Sequence, residues 1–150
     1  MVKVYVASSW RNEDQPFVVS ALRQAGHEVY DFRHPREGDD GFHWSEIDKA
    51  WRTWSPEQYR EGLSHAASQR GFGAFLDAMK WADVFVGVQP FGRSALLEMG
   101  WAAGRGKPTI LLLADGEPEL MVKLLDGICI STAEVLALLD GITTEAHESS

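Results

Sequence analysis

The chain has 150 residues, 45% of them hydrophobic, and a formal net charge of −8. That size and composition suit one globular domain with a single sizeable core and exclude a chain too polar to fold. The acidic balance argues against long nucleic acid as a partner, which normally needs a basic face that releases counterions, but leaves room for a small anion held by one or two local arginines.

The first expected element is a strand over Val2 to Ala7, apolar on nearly every position. A helix follows over Gln15 to Ala25, carrying Phe17, Val18, Ala21, Leu22 and Ala25 at helical spacing, with Gly26 as its stop. Further strands are expected over Glu28 to Phe32, Val84 to Val88, Thr109 to Leu113 and Ile128 to Ile130. Runs apolar on both faces are the mark of a parallel sheet covered on both sides. Helices over Ser94 to Ala103 and Ala133 to Leu139 complete the alternation. The fold class is therefore α/β: a flavodoxin-like (Rossmann-like), doubly wound, five-stranded parallel sheet. A helical insertion separates strands 2 and 3, because about 50 residues lie between them and a crossover helix needs far fewer.

The insertion opens with a polar loop over Arg33 to Gly41. Trp44, Ile47, Trp51 and Trp54 then recur at helical spacing. Ser55-Pro56-Glu57-Gln58 matches a capping box with proline at the first helical position. A last helix with Phe72, Phe75, Leu76 and Met79 leads into strand 3. One α/β domain is expected over 1–142, with a polar tail over 143–150.

No apolar run approaches the ~20 residues of a membrane span. The N-terminus goes straight into a strand pattern without the features of a signal peptide. Cys129 is the only cysteine, sits in an apolar run and reads as a small buried hydrophobe. A cytoplasmic location is expected from these features. No histidine–carboxylate spacing resembles a zinc site, and the glycine fingerprints for dinucleotides and ATP are absent. Neither a metal nor a cofactor is expected.

Ligands of open α/β sheets bind beyond the carboxyl ends of the strands, where strand order reverses. For the order 2-1-3-4-5 that point lies between strands 1 and 3. Ser8, Ser9, Trp10, Arg11 and Asn12 follow strand 1; Phe91, Gly92, Arg93 and Ser94 follow strand 3. Small hydroxyls and a helix start suit an anion, and arginine can grip one in bidentate fashion. Glu98 stands early in the next helix among Leu96, Leu97, Met99 and Trp101. A carboxylate there is poorly hydrated, yet the helix N-terminus is expected to favour its charged form, as suits a nucleophile at an anomeric carbon. A glutamate that merely complements the helix dipole is the alternative.

Three stretches together resemble the nucleoside 2-deoxyribosyltransferases and the related deoxynucleoside monophosphate N-glycosidases. They are Val4 to Arg11, Ala82 to Val88, and the run Glu98-Met99-Gly100-Trp101-Ala102-Ala103-Gly104-Arg105-Gly106-Lys107-Pro108. The resemblance implies that Glu98 attacks the sugar and that the Tyr5 hydroxyl orients it. It also implies that Ser9 and Arg11 contact a 5′-phosphate, with Arg93 and Ser94 completing the pocket. Substrate-binding candidates are thus Ser8, Ser9, Trp10, Arg11, Phe91, Gly92, Arg93 and Ser94, with Trp10, Trp44 and Phe91 as candidate walls for a base. The sequence departs from the family at Phe75, where an aspartate is usual, and Asp77 lies on another helical face. The proton donor to the leaving base is left open; His34 and His43, flanking the insertion loop, are alternatives.

The expected activity is cleavage of the N-glycosidic bond of a small nucleoside or nucleoside 5′-monophosphate, by hydrolysis or base exchange. A non-catalytic nucleotide-sensing module and an NAD-cleaving domain of similar topology are the competing readings. The expected partners are that small molecule and, given the tryptophan stripe, further copies of the chain in a homodimer or larger oligomer.

Overall fold

The computed structural model describes residues 1–149, with side chains described through residue 143. In chain order the elements are β1 (Lys3–Ala7), α1 (Gln15–Gln24), β2 (Glu28–Tyr30), α2 (Pro56–Leu63), α3 (Ala66–Trp81), β3 (Val84–Val88), α4 (Arg93–Gly104), β4 (Thr109–Leu112), β5 (Gly127–Cys129) and α5 (Thr132–Ser149). They fall into two compact units, Met1–Asp31 with Trp81–Ser150, and Phe32–Lys80.

The first unit is built on a five-stranded, all-parallel sheet in the order β2-β1-β3-β4-β5. This is the flavodoxin-like order expected above. Residues alternate between the two faces of each strand. Val4 and Val6 of β1, Val84, Val86 and Val88 of β3, and Ile110 and Leu112 of β4 form one core with Val18, Val19 and Leu22 of α1 and Val135 and Leu139 of α5. The other face carries Tyr5, Phe85 and Leu111, all buried, against α4. Gly87 of β3 is part of that contact: an added Cβ would come to 3.2 Å from both Leu111 Cδ1 and Met99 Cε. The missing side chain lets α4 lie close on the sheet.

The buried stripe of α1 is Gln15, Val18, Val19 and Leu22, a spacing of three, four and seven. Phe17, expected on that stripe, is 75% exposed. The second strand ends at Tyr30 rather than Phe32, and the last covers Gly127–Cys129, leaving Ile130 outside. Helix α5 runs well past Leu139 and through the backbone of most of the expected tail. Leu136 and Ile142 continue its apolar face against the core, which carries the packed part of the helix past Leu139. The side chains of 144–150 lie outside the described residues. No described helix is long and apolar enough to cross a membrane.

In the second unit the tryptophan stripe does not form the expected helix. It makes two separate single 3-10 turns, Trp44–Glu46 and Trp51–Thr53. Asp48 supplies the reason. Its carboxylate accepts from the Ala50 backbone N–H at 2.9 Å and from Trp54 Nε1 at 2.8 Å, offering the chain a turn in place of the helical ladder. These bonds, that from Trp54 foremost, hold the Asp48 carboxyl below its ordinary range. Trp44 meets Trp54 edge-on at 5.7 Å and Phe42 at 4.9 Å. The capping box before α2 forms as expected, with Ser55 and Gln58 bonded reciprocally at 3.2 and 2.8 Å.

Candidate active site

Helices α1 and α4 follow adjacent strands and lie on opposite faces of the sheet, so their preceding loops part between β1 and β3. That is the reversal point at which such sheets hold ligands. Beneath it, on the α4 face, runs a row of rings. Tyr5 is in register with Tyr30 on one side and Phe85 on the other. Its ring stacks on both, at 5.3 and 4.9 Å between centroids. Phe85 in turn leans on Trp101 of α4 at 6.0 Å. Parallel pairing alone brings these residues side by side, although 80 residues separate Tyr5 from Phe85 in a chain of 150.

Glu98 projects from the second turn of α4 and is partly buried, between the buried Ala95, Met99 and Ala102 and the exposed Leu96 and Leu97. Burial pushes its carboxyl up to about 7 from an ordinary 4.5, and the Tyr5 hydroxyl works in the opposite direction. This corrects the expectation that the helix N-terminus would keep Glu98 charged. The dipole acts within the first turn, whereas Glu98 is one turn further in, and loss of water outweighs it. Tyr5 is 1% exposed. Burial first, then the charge of Glu98, drives its hydroxyl far above the usual phenol range. That hydroxyl makes no hydrogen bond of standard geometry, yet it is near enough to Glu98 for each group to move the other's proton equilibrium. The pair is a carboxyl poised to titrate near neutrality above a phenol that stays protonated.

The two loops above this pair are tied together by Asn12. Its amide nitrogen lies 2.9 Å from Ser8 Oγ, 2.9 Å from the Val88 carbonyl and 3.1 Å from the Pro90 carbonyl. Its carbonyl accepts from the backbone N–H groups of Asp14 at 2.8 Å and Gln15 at 3.2 Å. Ser8 donates to the Val88 carbonyl at 2.8 Å, so its hydroxyl fastens the loops together. Ser9 accepts from the Arg11 backbone N–H at 3.2 Å, which curls the loop into a turn. Arg11, Arg93 and Ser94 are exposed, Trp10 is 43% exposed and Phe91 is partly covered. Gly92 is the N-cap of α4, and no side chain caps that end of the helix. Backbone N–H groups at such an end favour an anion.

Sequence reasoning named Asn12 as a loop residue and missed its role. The signal was present: asparagine ahead of a proline-led helix start is a frequent turn and cap residue. Tyr30 was missed for another reason, since only strand register places it beside Tyr5. The two histidines considered as proton donors both lie in the second unit. His34 Nδ1 lies 3.8 Å from an Asp40 carboxylate oxygen, and the His43 ring contacts the Asp40 carbonyl at 3.2 Å.

No protein-family model and no curated protein matches the sequence. Among solved structures, the chain is similar to a 2-deoxyribosyltransferase from Bacillus psychrosaccharolyticus, described as a biocatalyst for nucleoside synthesis. The two are 25% identical, with a TM-score of 0.61, over 89% of this chain and 90% of that one. A CMP N-glycosidase from Clostridium botulinum aligns at 23% identity and a TM-score of 0.49, over 92% of this chain and 98% of that one. The backbone likeness to a 2-deoxyribosyltransferase coincides with the family resemblance carried by Glu98 to Pro108.

Proposed function

We propose that this chain is an enzyme that cleaves the N-glycosidic bond of a small nucleoside or nucleoside 5′-monophosphate through Glu98. The observation that carries the reading is the pairing of a partly buried carboxyl with a buried phenol at the reversal point of the sheet. In the ionised form, a Glu98 oxygen attacks the anomeric carbon. The C1′–N bond breaks, its electron pair leaves with the base, and the base takes up a proton. The result is a glycosyl ester on Glu98. Water or a second base then attacks the same carbon, releases the carboxylate and gives a free sugar or a new nucleoside. Tyr5, protonated throughout, offers its hydrogen to the carboxylate and aims it.

The loop carrying Ser9 and Arg11 and the start of α4 with Arg93 and Ser94 form the end of the site suited to a 5′-phosphate. Trp10 and Phe91 offer apolar surface to the base. The assembly proposed is a homodimer or larger oligomer. Screening nucleosides, nucleoside 5′-monophosphates and NAD for base release tests the reading. Release that disappears in Glu98→Gln supports it; release that persists there refutes the nucleophile. Base release from NAD alone would favour the NAD-cleaving alternative.

A further inference from the structure

We infer that Asn12 is a positioning residue that sets the shape of the phosphate end of this site, a role resting on the function proposed above. The residue is 1% exposed and uses its two ends for different tasks. Holding the turn that leads into α1 takes only the carbonyl oxygen, which accepts from the backbone N–H groups of Asp14 and Gln15. The amide nitrogen is directed wholly at other parts of the site. It reaches Ser8 within its own loop, and Val88 and Pro90, which lie 76 and 78 positions away in the sequence. Two N–H hydrogens are thus shared among three acceptors, one of which, the Val88 carbonyl, also accepts from Ser8. The loop from Ser8 to Asn12 and the segment after β3 are thereby joined at Val88 and Pro90. Arg11 and Arg93 stand on the two joined segments, so the spacing of their backbones is set through Asn12.

Asn12→Asp keeps one task and removes the other, and Ser8→Ala, which adds no charge, separates loss of positioning from repulsion of the phosphate by the new carboxylate. The acceptor for Asp14 and Gln15 remains, while the donor becomes a carboxylate oxygen facing the Val88 and Pro90 carbonyls. The probes are 2-deoxyribose 5-phosphate and 2-deoxyribose, which carry no base and so do not depend on base preference. Affinities are read by NMR titration, and folding by thermal melting. Affinity for the 5-phosphate should fall about tenfold in Asn12→Asp, while affinity for the free sugar stays within about twofold. Ser8→Ala, which removes the Ser8 bonds to Asn12 and to the Val88 carbonyl and leaves the Asn12 carbonyl on Asp14 and Gln15, should give a smaller fall of the same selectivity, and it keeps the test alive if Asn12→Asp does not fold. Equal weakening of both sugars would mark Asn12 as a structural residue and overturn the proposal. So would unchanged phosphate affinity in either folded variant, with the functional reading left standing. If the wild type binds neither sugar, the proposal fails, while the functional reading is still decided by the base-release screen.

Discussion

Replacing Glu98 by glutamine should make the protein more stable at alkaline pH while abolishing base release. In the folded state the carboxyl titrates near 7, against an ordinary 4.5. The native protein therefore binds more protons than the unfolded chain between those values, and its stability falls as pH rises through them. Below about 4.5 the carboxyl is protonated in both states and there is no penalty. Above 7 the full cost of holding an ionised, poorly hydrated carboxylate is present. At about 1.4 kcal/mol per pH unit that cost is ~3 kcal/mol. Glutamine keeps the shape and cannot ionise. The gain in stability of Glu98→Gln over wild type should thus be small at pH 4.5 and grow to ~3 kcal/mol by pH 8.5. Urea denaturation of both proteins across this range measures it, with midpoints compared at equal slope. Parallel stability curves for the two proteins would show that Glu98 is not held at a cost and would remove the physical basis for its assignment. The trade of stability for an active carboxylate is familiar from strained catalytic sites. Because no substrate enters the measurement, it stands apart from the activity screen.

Other outcomes follow from the same geometry. Turnover of the substrate found by the screen should rise with pH through about 7, because the ionised form of Glu98 is the nucleophile. Tyr5→Phe removes the hydroxyl that favours that form, so the rising limb should shift upward and activity at pH 7 should fall about tenfold, recovering partly at pH 9; an unchanged profile would deny Tyr5 its orienting role. Arg11→Ala or Arg93→Ala should weaken 5′-monophosphate binding by ~1.5–3 kcal/mol and leave the nucleoside unaffected, which isothermal titration with the two ligands distinguishes. Sedimentation at micromolar concentration should give a dimer or larger species, and a monomer would count against the proposed assembly.

Much of the sheet was legible in the sequence because its strands are buried on both faces. Apolar runs such as Val84 to Val88 leave no doubt about environment, and the alternation of strand and helix leads to a parallel order. Glu98 stood out for the complementary reason, as one carboxylate in a run otherwise apolar. The capping box at Ser55 was equally plain, because its chemistry is completed within four residues. Features resting on contacts distant in sequence were not legible. The tryptophan stripe has helical spacing, yet Asp48 redirects its backbone into turns, a competition decided by side-chain hydrogen bonds. The row Tyr30–Tyr5–Phe85 exists only once three strands are in register. Poor hydration of Glu98 was legible from its apolar neighbours, but its weight against the helix N-terminus was misjudged, because the extent of water loss depends on the sheet beneath. Asn12 is the clearest case. Its local pattern indicates a turn ahead of a helix, but the partners that tie two loops into one site are reached only through the fold, since hydrogen bonds depend on positions in space.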